Sequence, residues 1–584
     1  MSYVVGVSSG AFTVTSQEEK PQLVGLFKKA QSAITKGVQF VQLDLESVAE
    51  FKEPDLVENI KKVKSMKVRF GVHSETAAFG IEMSEPDSAI QTDYENGHRR
   101  LAEILDESRN IEAEYVLIHS SESVPFELLG RHLQPAVLVD VWGRPLRDFI
   151  EKEKQWVEKW IIPGEFDQGL KEGGSFMWAD LIGGRDLEEY LNSNWEKYTR
   201  STEYEFKTQS REGKVVSEED KKSIKKNWYE NERKDLLNYF LGFIESRSHH
   251  YGPERYAYYI IAKWMEKNDD PLWNKIIEAN IKFFAAYEGT NPEEWKEKYQ
   301  IKKTEEGKWS IDNSNFREQY KLWVPAVSAK YIWGHFFQDK ISGSRLPDLK
   351  EKLKVKKKDG TETSMPLVLE SPMAHRGTEE WLRLPNPLQM YCLAEEVNKE
   401  AGFEAMGLAV DLEHMISIRI DPEVVAKLLP EEGGKLIRVV HAGWPAPLAP
   451  AHLPIQLGSE QQRYLYRVYY QLRQKGFGKD PKVDSFIIFE RGGPETFQES
   501  ILSLRNIVEF LSKDTPPKDL PLEFAGIKTG QIASWERQLT TIKEHAEEPL
   551  KGVLAVPEEE HTFLGGAAVA KPGGTEKWKK EEYK

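Results

Sequence analysis

The chain has 584 residues, a net charge of −15 at pH 7 and one cysteine, Cys392. This length exceeds that of a usual single domain. The negative charge does not support a nucleic-acid partner, because unselective binding to nucleic acid relies on basic surface. A single cysteine excludes an intramolecular disulfide and, with no long uncharged apolar run, favours a cytoplasmic protein without a membrane partner. The sequence does not indicate the oligomeric state.

Strand and helix patterns alternate through the first 125 residues. Continuous apolar runs predict strands at 3–7, 38–43, 68–73 and 115–119. Helical spacing of apolar residues predicts helices at 22–35, 56–66 and 94–111. This alternation is typical of a parallel α/β fold.

The alternation stops at about residue 126, and a different kind of sequence follows. The region 126–363 carries most of the tryptophans and long charged, helix-like stretches such as 221–246. We predict an α-helical insertion whose tryptophans form its own aromatic core; a base-stacking platform is the less favoured alternative.

Strands are predicted again after residue 363, with helices near 388–401, 461–475 and 499–512. Four strands before the insertion and four after it predict a (β/α)8 TIM barrel, with halves at 1–125 and 364–560. The insertion would follow strand four and project over the C-terminal mouth of the barrel. Residues 561–584 are rich in Gly, Lys and Glu, and we expect a flexible tail.

Six of the predicted strands end on a histidine or a carboxylate. These residues are His73, His119, Glu370, Asp411, His441 and Glu490, and two more histidines, His414 and His452, lie just beyond strand ends. Side chains at these tips point into one shared mouth of a barrel. A lone strand-end histidine is usually a satisfied polar group. Five of the chain's 13 histidines together with three carboxylates instead indicate a metal site.

This pattern resembles the xylose isomerase-like barrels, and among them most strongly the endonuclease IV family. The resemblance covers both barrel halves and excludes the insertion. That family holds three zinc ions with His, His, Glu, Asp-x-x-His, His, Asp-x-His and Glu, in this order. The matching positions here are His73, His119, Glu370, Asp411 with His414, His441, Pro450 followed by His452, and Glu490.

The resemblance implies that His73, His119 and Glu370 hold one ion. It implies a second ion on Glu370, Asp411, His441 and Glu490, with Glu370 bridging the two. The third position would have only His414 and His452, because Pro450 stands where the family has an aspartate. Zn²⁺ is the expected ion and Mn²⁺ the alternative, with two or three ions per chain.

Three functions follow from this pattern. The first is a metal-dependent hydrolase of phosphoesters, supported by the pair His73 and His119. The second is a sugar isomerase or epimerase with one divalent metal and with Glu370 and Glu490 as acid and base. The third is a barrel that keeps its metals while the insertion serves as an assembly surface.

Three loop residues are candidates for contact with the substrate. His375 and Arg376 follow Glu370, and Arg491 follows Glu490. Each could bind a phosphate or carboxylate of the substrate or could make an ion pair within its loop.

Overall fold

The computed structural model describes most of the chain outside several loops and the C-terminal segment. The described residues are 3–9, 26–34, 37–45, 47–74, 86–121, 137–156, 187–208, 216–246, 253–303, 309–311, 316–338, 340–341, 344–356, 362–372, 383–443, 445–446, 449–452, 454–490 and 497–526. The predicted flexible tail at 561–584 lies outside them.

Eight parallel strands close into a barrel. They are β1 (Tyr3–Ser8), β2 (Phe40–Asp44), β3 (Arg69–His73), β4 (Val116–His119), β5 (Leu367–Glu370), β6 (Met406–Asp411), β7 (Ile437–Ala442) and β8 (Ser485–Phe489). The order around the barrel is β1-β8-β7-β6-β5-β4-β3-β2. β5 to β8 are buried along their whole length, which is why they appear as continuous apolar runs in the sequence. The predicted TIM barrel is confirmed.

The barrel interior is filled by side chains from different strands. Phe40 and Phe486 pack with ring centroids 4.3 Å apart, and Tyr115 stacks on Phe40 at 5.9 Å. Smaller residues from β4 to β8 complete this cluster: Leu117, Val368, Ala409, Val439 and Ile488. The interior is therefore a packed core, and the space for chemistry lies at the strand ends.

Helices connect the strands as a (β/α) barrel requires. They are Leu26–Ile34, Leu56–Ser65, Gln91–Asn110, Pro387–Ala401, Leu412–Ser417, Pro422–Leu428, Glu460–Gln474 and Phe497–Ser512. Short 3₁₀ helices lie at Val48–Lys52, Gly433–Leu436, Pro517–Asp519 and Leu522–Ala525. The helix Pro387–Ala401 shows why these boundaries occur. Asn386 forms a capping box with Gln389 at its start, and Gly402 ends it in the left-handed conformation.

The region between β4 and β5 is mainly helical. Its helices are Leu146–Lys152, Lys154–Trp156, Leu187–Tyr198, Thr202–Thr208, Glu218–Ser246, Pro253–Lys267, Pro271–Tyr287, Pro292–Lys298, Phe316–Phe337 and Leu349–Lys352. Three short hairpins pair Ile301–Lys303 with Trp309–Ile311, Lys340–Ile341 with Ser344–Arg345, and Lys354–Lys356 with Glu362–Ser364. Trp273, Trp295, Trp309 and Trp323 are buried, so these four tryptophans pack in the interior of the protein.

The chain forms two compact units. The first comprises 1–83, 102–123 and 350–584 and contains the barrel strands; the second comprises 84–101 and 124–349. The helix Gln91–Asn110 therefore contributes its first half to one unit and its second half to the other. Within the described part of the chain, every helix is too short or too polar to cross a lipid bilayer.

Candidate metal centre

Polar residues at the ends of neighbouring strands lie side by side. Strand pairing places Glu370 opposite His119, and Asp411 opposite His441. His73 ends β3 next to β4, and its side chain is buried. Because all strands are parallel, these side chains collect at the C-terminal end of the barrel.

The described residues contain three groups that could hold a metal ion. Within each group the candidate ligand atoms lie within 4.8 Å of one another. The groups are His73, His119 and Glu370; Glu370, Asp411 and His414; and Asp411, His441 and Glu490. Since Glu370 and Asp411 each belong to two groups, the three form one continuous cluster.

The two carboxylate oxygens of Glu370 face different histidines. Oε1 lies 2.5 Å from His441 Nδ1, whereas Oε2 lies 3.3 Å from His73 Nε2 and 3.6 Å from His119 Nε2. Both Glu370 oxygens, His119 Nε2 and His441 Nδ1 are buried, and none has a partner with hydrogen-bond geometry. The short approach of His441 to Glu370 is thus a close contact and not a well-directed hydrogen bond. Carboxylate oxygens and ring nitrogens that converge in this way fit a cation, which would replace the proton of His441.

Hydrogen bonds to backbone carbonyls determine which ring nitrogen of His73 and of His414 is available to bind a metal. His73 Nδ1 donates to the carbonyl oxygen of Ser74 at 3.0 Å, and His414 Nδ1 donates to that of Ser371 at 2.8 Å. A carbonyl oxygen can only accept, so these nitrogens carry the proton. The Nε2 atoms of both rings are left as ligands, which is the usual support for a metal-binding histidine.

Glu370 and Asp411 are held in the charged form. Burial by itself would raise the pKa of Glu370, but His441 and His73 hold it well below its usual range. Burial likewise opposes the charge on Asp411, and the nearby His414 and His441 lower its pKa. Both carboxylates are therefore ionised at neutral pH and can balance a cation.

The surroundings shift the pKa values of His414 and His441 upward and that of His119 downward. Burial disfavours a charge on His414 and His441, yet the surrounding carboxylates raise the pKa of His414 to about 9 and that of His441 well above its usual value. Burial and the neighbouring His73 lower the pKa of His119 to about 3. Without a metal, His414 and His441 are thus protonated at neutral pH. The His119 ring is neutral and can offer a lone pair to a metal ion.

Several predicted site residues cannot be placed. His375, Arg376 and Arg491 lie outside the described residues. The backbone of His452 pairs with Pro445 in a hairpin of Pro445–Ala446 with Ala449–His452, but its side chain is not among those described. The structure groups His414 with Glu370 and Asp411, whereas the resemblance implied a separate site with His452.

Two polar residues of β2 also belong to this end of the barrel and were missed from the sequence. Gln42 Oε1 lies 3.0 Å from His441 Nε2, and Gln42 Nε2 donates to Asp44 Oδ1 at 3.3 Å. The signal was present, because β2 ends on Asp44 in the same way that β6 ends on Asp411. A glutamine inside an otherwise apolar strand was a second clue.

Comparisons with known proteins gave remote likenesses of fold. No protein-family profile matches the chain, and no curated protein matches it. A D-tagatose 3-epimerase-like protein of known structure matches with 10% identity and a TM-score of 0.32, over 88% of this chain and 100% of that one. An L-ribulose 3-epimerase matches with 8% identity and a TM-score of 0.32, over 92% of this chain and 98% of that one. Neither is endonuclease IV, and likenesses this remote carry no argument about activity.

Proposed function

We propose that the chain is a metal-dependent enzyme that isomerises or epimerises a sugar at the C-terminal mouth of the barrel. The observation that carries the proposal is the surroundings of His441. Its Nδ1 lies 2.5 Å from Glu370, 3.3 Å from Asp411 and 3.9 Å from Glu490. One ring nitrogen and three carboxylates from four strand ends suit a single divalent ion.

The charge of this set favours a neutral substrate. Three carboxylates (−3), one divalent ion (+2) and the protonated His414 (+1) leave no net charge. Among the described residues, the ion pairs of these carboxylates are with histidines only, without lysine or arginine. A site without net positive charge does not attract a phosphate but can bind the hydroxyl groups of a sugar.

We assign the roles of general acid and general base to Glu370 and Glu490. A bound divalent ion would polarise a substrate carbonyl and make the neighbouring C–H more acidic. One glutamate would remove that proton and the other would return it, either to the adjacent carbon or to the opposite face. Burial of both side chains excludes bulk water that would compete for the proton.

The experiment is a proton-exchange assay in D₂O. The metal-stripped chain is reloaded with Mn²⁺, Co²⁺, Zn²⁺ or Mg²⁺ and incubated with a panel of ketoses and aldoses. We expect deuterium at the carbon beside the carbonyl, detected by NMR, and its loss in Glu490→Gln. The exposed Glu400 provides the matched control, Glu400→Gln, which should keep full exchange. Absence of exchange with every metal and sugar would contradict the proposal.

Phosphoester hydrolysis is the second candidate, and a different observation favours it. His73 and His119 place two further ring nitrogens beside Glu370, and His119 Nε2 is buried without a hydrogen-bond partner. A second divalent ion there would make the site charge more positive by two units and suit an anionic substrate. Elemental analysis separates the candidates: one ion per chain supports the sugar reaction, and two or three support hydrolysis, which a phosphodiester assay would then detect.

A further inference from the structure

Gln42 lies beside the candidate metal centre, and both the oxygen and the nitrogen of its side-chain amide form hydrogen bonds. The side chain is fully buried on β2. Its oxygen accepts a hydrogen bond from His441 Nε2 at 3.0 Å and another from the Tyr115 hydroxyl at 2.8 Å. Its nitrogen donates to Asp44 Oδ1.

The orientation of this amide decides which nitrogen of His441 can bind a metal. An amide oxygen only accepts, so the Nε2 atom that faces it must carry the proton. When the ring loses its second proton to make room for a metal, Nδ1 is then the nitrogen whose lone pair points toward Glu370 and Asp411. If the amide were reversed, its NH₂ group would face Nε2, and in a neutral ring the proton would move to Nδ1. His441 would then offer no ligand to the cluster.

Asp44 is the group that selects the orientation. The Tyr115 hydroxyl can donate or accept and so tolerates either arrangement, whereas a carboxylate can only accept. Gln42 and Asp44 are two residues apart on one strand, and their side chains therefore point to the same side. Asp44 is itself held, because Ser8 Oγ donates to its carboxylate and its backbone N–H donates to Ser9 Oγ at 2.9 Å.

We propose that Asp44 and Gln42 are positioning residues that fix His441 in its Nε2-protonated form, so that Nδ1 becomes the metal ligand. The inference rests on the metal centre of the proposed function. It assigns a role to β2, a strand whose residues belong to none of the three candidate ligand groups among the described residues.

Metal affinity tests the inference without relying on activity. Co²⁺ is titrated by its visible absorption and Zn²⁺ by competition. Gln42→Met removes the acceptor and should weaken binding by about 10- to 100-fold, the usual cost of losing such a supporting contact. Tyr115→Phe is the matched control, since it removes the other partner of the same oxygen and should leave affinity nearly unchanged.

An exchange of the two groups provides the rescue. Asp44→Asn alone removes the group that selects the amide orientation of Gln42 and should weaken binding. Combined with Gln42→Glu, it places a carboxylate oxygen opposite His441 Nε2 and an NH₂ group between the two side chains, at unchanged total charge. The double variant should regain affinity, and ¹⁵N NMR of the Zn²⁺-loaded protein should again show a protonated Nε2.

Two results would overturn the inference. One is wild-type affinity in Gln42→Met; the other is a loss in Tyr115→Phe as large as that in Gln42→Met, which would indicate general packing. If Gln42→Met does not fold, Asp44→Asn and the double variant decide, and equal affinity in these two overturns it. Failure of the proposed function looks different: the wild type would bind metal normally but exchange no proton with any sugar.

Discussion

Glu370 ends β5 with one oxygen toward His441 and the other toward His73 and His119. Both oxygens are buried, and without a metal their charge is balanced by the protonated His441. A carboxylate placed in this way balances charge on both of its sides.

Glu370→Gln should therefore abolish activity and reduce bound metal to below one ion per chain, because the amide carries no charge to balance a cation. Elemental analysis after dialysis measures this, with Glu400→Gln as the control. A loss of more than one ion would show that Glu370 serves two cations and would favour hydrolysis. Full metal retention would show that Glu370 is not a ligand.

Metal binding should release protons at neutral pH. Only deprotonated nitrogens bind metals, and the raised pKa values of His414, about 9, and of His441 mean that both rings are protonated beforehand. Affinity should accordingly rise with pH up to about pH 9. Calorimetry in buffers of different ionisation enthalpy should show about one proton released from His441 at pH 7 when one ion binds, and a second when an ion also binds His414. Metal binding without any proton release would mean that both rings stay protonated.

At the scale of single elements, Asp411 is both the last residue of β6 and the N-cap of the helix that follows. One oxygen accepts from the backbone N–H of His414 at 2.7 Å and caps the helix Leu412–Ser417. The other lies 3.3 Å from His441 Nδ1. The cap also fixes the backbone position of His414 in the first helical turn. It therefore keeps two candidate ligands, Asp411 and His414, close together.

Two substitutions separate these roles. Asp411→Asn keeps an oxygen that can cap the helix but removes the charge, whereas Asp411→Ala removes both. Both should lose metal, and the metal-free Asn variant should be more stable than the Ala variant by about 1 kcal/mol, the usual value of a helix cap. Urea denaturation of the metal-free proteins measures the difference. Equal stabilities would show that the cap contributes nothing.

The sequence predicted the strands well because burial on both faces leaves a continuous apolar run. The predicted ends at His73, His119, Glu370 and Asp411 agree with the observed strand ends. The position of His414 could not be predicted, since it depends on the geometry of a capped turn. Gln42 was missed because its role depends on contact with His441, which is 399 positions away in the chain.

At the scale of the whole molecule, the second unit is assembled from two separate stretches. Tyr94, within 84–101, donates to the carbonyl oxygen of Val141 at 3.1 Å, and His98 lies 3.0 Å from His335 through their Nδ1 atoms. Both Tyr94 and His98 are fully buried. All candidate metal ligands, by contrast, lie in the unit that contains the barrel.

Excision of 124–349 should therefore give a barrel that binds metal but aggregates, because Tyr94 and His98 lose their partners and become exposed. Adding Tyr94→Glu and His98→Lys should restore solubility. Light scattering and Co²⁺ titration measure both properties. A folded, soluble excised chain that has lost its metal would show that the centre includes residues from the removed segment.

The pairing of β4 with β5 has a consequence for synthesis on the ribosome. Leu367 pairs with Val116, and about 250 residues separate the two strands in the chain. At typical translation rates β5 emerges roughly 10 to 50 s after β4. During this time the nascent half-barrel presents unpaired strand edges at β1 and β4, and such edges promote aggregation. Productive biogenesis therefore depends on shielding these edges until translation is nearly complete, either by a chaperone or by the helical region that emerges next.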